Sequence, residues 1–270
     1  MTTDPLLSVR GLIKTFRDGQ SETVAVREFD LTILPGEIVG LVGESGSGKS
    51  TVANILLGLL EPDVGEIEFD GRPLSDWLHR DRRAYRAGVQ AVFQQPLLAL
   101  DRRRTVGWSI AEPLVVHSLG DRASRALRVL ELLDSVGLDP ALAERRPHEL
   151  SGGQLQRVNI ARALALDPRL LICDEAVSAL DVSVQAQIID LFLDVQERLA
   201  VAMLFISHNM AVVRHISDSM VVMYHGDVVE SGSTAQVCDS PESAYARKLM
   251  SSWLDPTIPA VEPEVRRDRT

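Results

Sequence analysis

The chain has 270 residues, with 28 Lys and Arg against 38 Asp and Glu, a formal net charge of -10, and 45% hydrophobic and 24% charged side chains. This composition is that of an ordinary soluble globular protein; it excludes disorder and collagen-like repetition, and its acidic balance disfavours a nucleic-acid partner. Cys173 and Cys238 are too few for a disulfide scaffold. The longest apolar runs fall far short of the roughly 20 residues that span a bilayer, and no secretory signal opens the chain, so a soluble intracellular protein is expected.

In chain order, the first third reads as short strands and turns. In Phe29-Asp30-Leu31-Thr32-Ile33 the apolar residues alternate, as a half-buried strand requires, until Pro35-Gly36 ends the run. Residues 38–42 are almost continuously apolar, the pattern of a strand covered on both faces. A glycine-rich loop follows, then residues 52–60, apolar enough for a buried helix. Ile67 and Phe69 alternate ahead of Asp70-Gly71, a tight-turn signal. The stretch 96–150 reads as a helical subdomain, with helical spacing at 125–133 and Gly137, Pro140 and Pro147 as punctuation. A helix is expected at 153–165, a strand at 170–173, a helix at 184–199 and a strand at 202–206. Two more strands, 220–224 and 228–229, flank His225-Gly226-Asp227. Strands alternating with helices imply an α/β protein with a parallel sheet, and the strand-rich flanks add an antiparallel portion. Residues 1–254 read as one domain, and 255–270, proline-bearing and without periodicity, as a mobile tail.

The glycine-rich loop is Gly43-Glu44-Ser45-Gly46-Ser47-Gly48-Lys49-Ser50-Thr51, which fits G-x-x-x-x-G-K-[ST]. Glycines let backbone N–H groups converge on phosphate oxygens, and the following helix offers its positive end. Lys49 is then expected to bridge the β- and γ-phosphates of a nucleoside triphosphate, Ser50 to ligate Mg²⁺, and Thr51 to donate to the α-phosphate. An accidental glycine-rich turn is the rival reading, but here the loop follows an apolar strand and opens an apolar helix, the context the motif needs.

Leu170-Leu171-Ile172-Cys173-Asp174-Glu175 is an apolar strand ending in two carboxylates. A buried parallel strand puts its C-terminal residue at the ligand crevice, where Asp174 suits Mg²⁺ and Glu175 suits a general base for the attacking water. Taken alone, such a run most often marks only a strand leaving the core; its meaning comes from partnership with the phosphate loop.

Upstream of that strand stands Leu150-Ser151-Gly152-Gly153-Gln154, which resembles the signature of the ATP-binding-cassette (ABC) ATPases. Asp181 in Ser178-Ala179-Leu180-Asp181 resembles that family's D-loop, His208 its switch histidine, Gln94 in Val92-Phe93-Gln94-Gln95 its Q-loop glutamine, and Phe16 its adenine-stacking aromatic. The resemblance implies a P-loop NTPase fold: an ABC cassette with a RecA-like parallel core, an antiparallel β subdomain and an α-helical subdomain. It implies ATP and Mg²⁺ as cofactors, with Glu175, His208 and Gln94 catalytic and Ser50, Gln94 and Asp174 at the metal. It also implies that Ser151, Gly152, Gly153, Gln154 and Asp181 close on the ATP of a second subunit, giving a head-to-tail dimer.

Repair and chromosome members of the family carry a long coiled coil that the interval from Gln94 to Leu150 cannot hold, and translation-associated members generally carry two cassettes. A non-transport ATPase of DNA repair or translation is thus the alternative, and a transporter subunit the expectation. Pro147-His148-Glu149, residues 178–189, Ser240-Pro241 and Ala244-Tyr245-Ala246 resemble the peptide/nickel (oligopeptide–dipeptide) importer group. That likeness implies a second, different ABC ATPase as partner, two integral-membrane permease subunits and, indirectly, an extracytoplasmic solute-binding protein. The chain is then expected as a peripheral protein at the cytoplasmic face of the plasma (inner) membrane. Peptide, nickel and metal-chelate solutes all stay open. Two arginine-rich stretches, Arg80-Asp81-Arg82-Arg83 with Arg86, and Arg102-Arg103-Arg104, read equally as a solvated face or as a contact for the membrane partner.

Overall fold

The computed structural model describes residues 4–19 and 21–254, so the tail expected at 255–270 lies outside the described residues. The chain begins with two long strands, β1 (Leu7–Asp18) and β2 (Ser21–Ile33), followed by β3 (Ile38–Val42) and α1 (Lys49–Leu56). Then come β4 (Val64–Phe69), β5 (Arg72–Pro73), α2 (Leu74–Arg80), α3 (Arg82–Gly88) and β6 (Val89–Phe93). Helices α4 (Val106–Val116), α5 (Arg122–Ser135) and α6 (Gly152–Leu164), with short 3-10 turns before α4 and between α5 and α6, separate β6 from β7 (Leu170–Asp174). The remainder is α7 (Val182–Leu199), β8 (Ala202–Ser207), α8 (Met210–Ile216), β9 (Ser219–Tyr224), β10 (Asp227–Ser233), α9 (Thr234–Asp239) and α10 (Ala244–Leu254).

Two sheets result. One is antiparallel, in the order β2-β1-β4-β5; the other runs β10-β9-β3-β8-β7-β6. Within the second, β6, β7, β8, β3 and β9 are mutually parallel, and only the β9–β10 edge is antiparallel. Every residue of β3 and β8 is buried, as helices and a second sheet on opposite faces demand. Side chains from one strand accordingly feed two cores: Leu41, Leu170 and Ile172 pack toward the antiparallel sheet and α1, while Val42, Leu171 and Cys173 pack toward the helices. Truncating Leu41 to Ala would cost about 2–5 kcal/mol.

The helix after the glycine-rich loop departs from the expected 52–60: it starts at Lys49 and stops at Leu56. Its end is a Schellman motif, in which the N–H of Gly58 bonds Ile55 O at 2.9 Å and that of Leu59 bonds Asn54 O at 2.9 Å. The left-handed φ of 65° at Gly58 makes this stop possible. The expected turn at Asp70-Gly71 joins β4 to β5, and the paired parallel core strands sit within a residue or two of their expected bounds. Among the described residues no helix is long and apolar enough to cross a membrane.

Candidate functional site

All five parallel strands carry their C-terminal ends to one edge of the sheet, and the candidate residues cluster there. Residues 43–48 link the end of β3 to α1. Gly48 is the N-cap of α1, with φ 107° and no side-chain cap, and the first turn carries no acidic residue. The orphan N–H groups of the first turn therefore stay open to an anion, in the field of the positive helix end. A Cβ on Gly48 would collide with Ala25 O, and one on Gly43 with Met223 O, so the loop is pressed between β2 and the end of β9. The N–H of Gly226 holds Ser47 O at 3.0 Å from the β9–β10 turn.

Lys49 is only 5% exposed and folds back on the loop, donating to Gly43 O at 2.8 Å, Glu44 O at 2.7 Å and Ser47 Oγ at 3.3 Å. Burial lowers its ammonium pKa, opposed by Glu175, Asp174 and Glu44. Asp174 closes β7 opposite it. Burial raises the Asp174 pKa, against the Ser50 hydroxyl that hydrogen-bonds it; Glu175 raises it further and Lys49 lowers it. Asp174 Oδ1 is buried and has no hydrogen-bond partner among the described residues. An orphaned carboxylate oxygen beside a serine hydroxyl, both hard oxygen donors, fits a Mg²⁺ ion.

Glu175 follows with φ 50°, a left-handed backbone that costs a residue other than glycine about 1–3 kcal/mol. Its N–H still bonds Ile206 O at 2.9 Å, so the strand ladder carries it to the rim before the chain turns. The carboxylate is held at both oxygens: Oε1 lies 3.1 Å from Nδ1 of His208, and Oε2 accepts from Nε2 of Gln94 at 3.2 Å. Gln94, rather than Gln95, is thus the glutamine that reaches the carboxylate. Its amide also donates to Ser178 Oγ at 3.0 Å, and Ser178 Oγ donates to Glu175 O at 3.0 Å. Ser178 is a residue to which sequence reasoning gave no role, although a hydroxyl three positions after the carboxylate was visible. A cleft of about 470 Å³ opens beside this group, lined by Phe93, Gln94, Gln95, Ala99 and Asp174. Buried Asn159 of α6 donates to Phe93 O at 3.4 Å, tying the residue before Gln94 to the signature helix.

The other candidates stand around this centre. Phe16, 44% exposed, pairs with Thr23 near the end of β1, two residues along β2 from the Ala25 that backs Gly48. Ser151 caps α6 in a capping box: its N–H bonds Gln154 Oε1 at 2.9 Å, and Ser151 Oγ accepts from Gln154 N at 3.3 Å. Gly152 and Gly153 back onto Leu180 and Val184. Asp181 caps α7, accepting from Ser183 Oγ at 2.7 Å and Val184 N at 3.0 Å. Among the described residues, no hydrogen bond joins residues 151–154 or Asp181 to residues 43–51. The structure brings together Lys49, Ser50, Gln94, Asp174, Glu175 and His208, and leaves the signature and Asp181 apart from them.

The ABC transporter family profile matches residues 26–178, more than half of the chain. The glutathione import ATP-binding protein GsiA of Salmonella paratyphi A is 48% identical over 273 aligned residues, covering 98% of this chain, which spans only 43% of that relative's length. A putative peptide import ATP-binding protein of Brucella ovis is 43% identical over 269 residues, covering 100% of this chain and 83% of the relative. Among solved structures, cbiO1 of Clostridium perfringens, part of the ABC transporter complex cbiONQ, superposes with a TM-score of 0.78 at 28% identity, over 88% of this chain and 92% of that one. The ATP-binding cassette MJ0796, in a dimeric post-hydrolysis state bound to ADP and Pi, gives 0.76 at 31% identity, over 84% and 98%. By fold, family profile and near-complete alignment to the Brucella relative, the chain belongs to the ABC transporter family.

Proposed function

We propose that this chain is an ATP-hydrolysing subunit that powers import of a small solute through a multi-subunit ABC transporter. The observation that carries the reading is the convergence of Gln94, Ser178 and His208 on Glu175, beside Asp174, Ser50 and the buried Lys49. In this account Lys49, held by the loop carbonyls, reaches the β- and γ-phosphates, and the uncapped start of α1 receives phosphate oxygens. Ser50, Asp174 and Gln94 would hold Mg²⁺, which neutralises phosphate charge when bound. Glu175 accepts a proton from the water that attacks the γ-phosphate, with its carboxylate plane fixed by Gln94 and His208. Phe16, exposed near the end of β1, would stack on the base.

The signature residues 151–154 and Asp181 would serve the nucleotide of a second cassette, a reading supported by the lack, among the described residues, of any hydrogen bond from them to residues 43–51. The dimeric cassette among the structural relatives supports that arrangement. A different ABC ATPase is the partner we favour, with two membrane subunits completing the transporter at the cytoplasmic face. The arginines of α2 and α3 offer one contact for them: Arg83 bonds Val116 O at 2.7 Å and Ser118 Oγ at 3.1 Å, next to exposed Val115 and Val116. The relatives named for glutathione and peptide import favour a peptide-like solute over nickel or a metal chelate, and give no support to DNA repair or translation.

The test is purification of the subunit from its native membrane with its companions, followed by ATPase assays with candidate solutes and binding proteins. Stimulation by a short peptide or thiol peptide is the expected result. A chain that fractionates away from membranes and with ribosomes or DNA would sink the proposal.

A further inference from the structure

One peptide group of the phosphate loop is gripped from both sides. The Gly43 carbonyl accepts from Lys49 Nζ at 2.8 Å, and the N–H of the same peptide, that of Glu44, donates to the Tyr245 hydroxyl at 3.3 Å. Tyr245 belongs to α10, far along the chain, and α10 is anchored as if its placement matters. The Glu230 carboxylate of β10 accepts from Glu242 N and Ser243 N, both at 2.9 Å, and Ser243 Oγ accepts from Ala246 N at 2.9 Å. The Tyr245 ring rests 4.2 Å from that of Tyr224, tilted by 32°, and Tyr224 ends the strand that lies against β3. Ala246 and Met250 bury the inner face of the helix.

The two contacts support one another once a nucleotide arrives. An ammonium has three N–H donors, so Lys49 can turn one to a phosphate and keep the Gly43 carbonyl. Gly43 has no Cβ, so the peptide it shares with Glu44 rotates easily. In a trans peptide the C=O and N–H point opposite ways, so a grip on the N–H keeps the carbonyl aimed at Lys49. The Tyr245 contact is on the other end of the same peptide and does not depend on Lys49. Burial and the nearby Glu44 carboxylate push the phenol pKa up to about 12, so its hydroxyl stays protonated under working conditions.

We propose that Tyr245 is a positioning residue for nucleotide binding: through α10 it fixes the Gly43–Glu44 peptide, whose carbonyl aims Lys49 at the phosphates. The proposal rests on reading residues 43–51 as the nucleotide site. Glu230 becomes part of the same device, because it sets where α10 begins.

The full-length chain is titrated calorimetrically with ATP and Mg²⁺, alongside four variants: Lys49→Ala, Tyr245→Phe, Glu230→Ala and the Tyr245→Phe/Glu230→Ala double substitution. Tyr245→Phe keeps the ring against Tyr224 and removes only the hydroxyl. It is expected to weaken ATP binding about three- to tenfold, the scale of one hydrogen bond. Glu230→Ala is expected to weaken binding by a similar factor, with little further loss when combined with Tyr245→Phe. A purely structural tyrosine would lower the melting temperature and leave affinity intact. Affinity equal to the parent in Tyr245→Phe, while Lys49→Ala loses binding, overturns the proposal and spares the site. Additive losses in the double variant overturn the role of α10. Parental affinity in Lys49→Ala overturns the nucleotide-site reading, and this proposal with it.

Discussion

Helices α1 and α6 both begin at segments suited to phosphate, and they begin in opposite ways. At α1 the N-cap is Gly48, no side chain satisfies the first turn, and the loop is braced from outside by Ala25, Met223, Gly226 and Tyr245. At α6 the cap is Ser151, which closes a reciprocal capping box with Gln154 and sits exposed at the surface. One helix start is held rigid by its neighbours and left chemically open. The other is satisfied by its own residues and reaches no phosphate loop within this chain. The difference teaches that rigidity and open donors are separate provisions: α1 has both, while α6 has a well-formed helix end alone, as the proposed half-site for a second chain would need.

That contrast can be broken at several points. The largest effect should come from Lys49→Ala, which removes the only ammonium of the loop; ATP affinity of the full-length chain, measured by calorimetry, should fall on the order of 100-fold. Gly48→Ala attacks the bracing instead, by forcing a Cβ into Ala25 O at a left-handed φ of 107°. Thermal or urea unfolding should show a loss of about 1–3 kcal/mol. Ser151→Ala should cost about 1 kcal/mol of stability through the lost cap. It should depress turnover only in the assembled transporter, while the separate chain binds ATP as before; lowered affinity in the separate chain would contradict the half-site account. The smallest effect concerns Asp181. Hydrogen bonds from Ser183 and Val184 hold its carboxyl below the ordinary 3.8, so its stabilisation is present above that value and vanishes as pH falls through the lowered one. Asp181→Asn should therefore flatten acid unfolding slightly at the low-pH end.

The parallel core was legible because β3, β7 and β8 are apolar at nearly every position, and the phosphate loop because its residue types are dictated by backbone approach to an anion. Strand β1 was harder to delimit: register shifts between Val9 and Lys14 interrupt the alternation that marks a strand. Helices α2 and α3 hid behind their arginines, although Leu74, Trp77 and Leu78 recur at helical spacing. Candidate side chains such as Lys49, Asp174 and Glu175 could be named from local context. Ser178 bonding Gln94, and Tyr245 bonding Glu44, could not, because those contacts join segments 84 and 201 residues apart and leave no local pattern.

The central claim is that Glu175 is the base of an ATP-hydrolysing site, and phosphate release by the intact membrane complex carrying Glu175→Gln tests it most directly. The account predicts that the variant complex still binds ATP and that turnover falls on the order of 100-fold or more, with the two cassettes trapped together. Turnover close to that of the parent complex, with ATP bound, would contradict it.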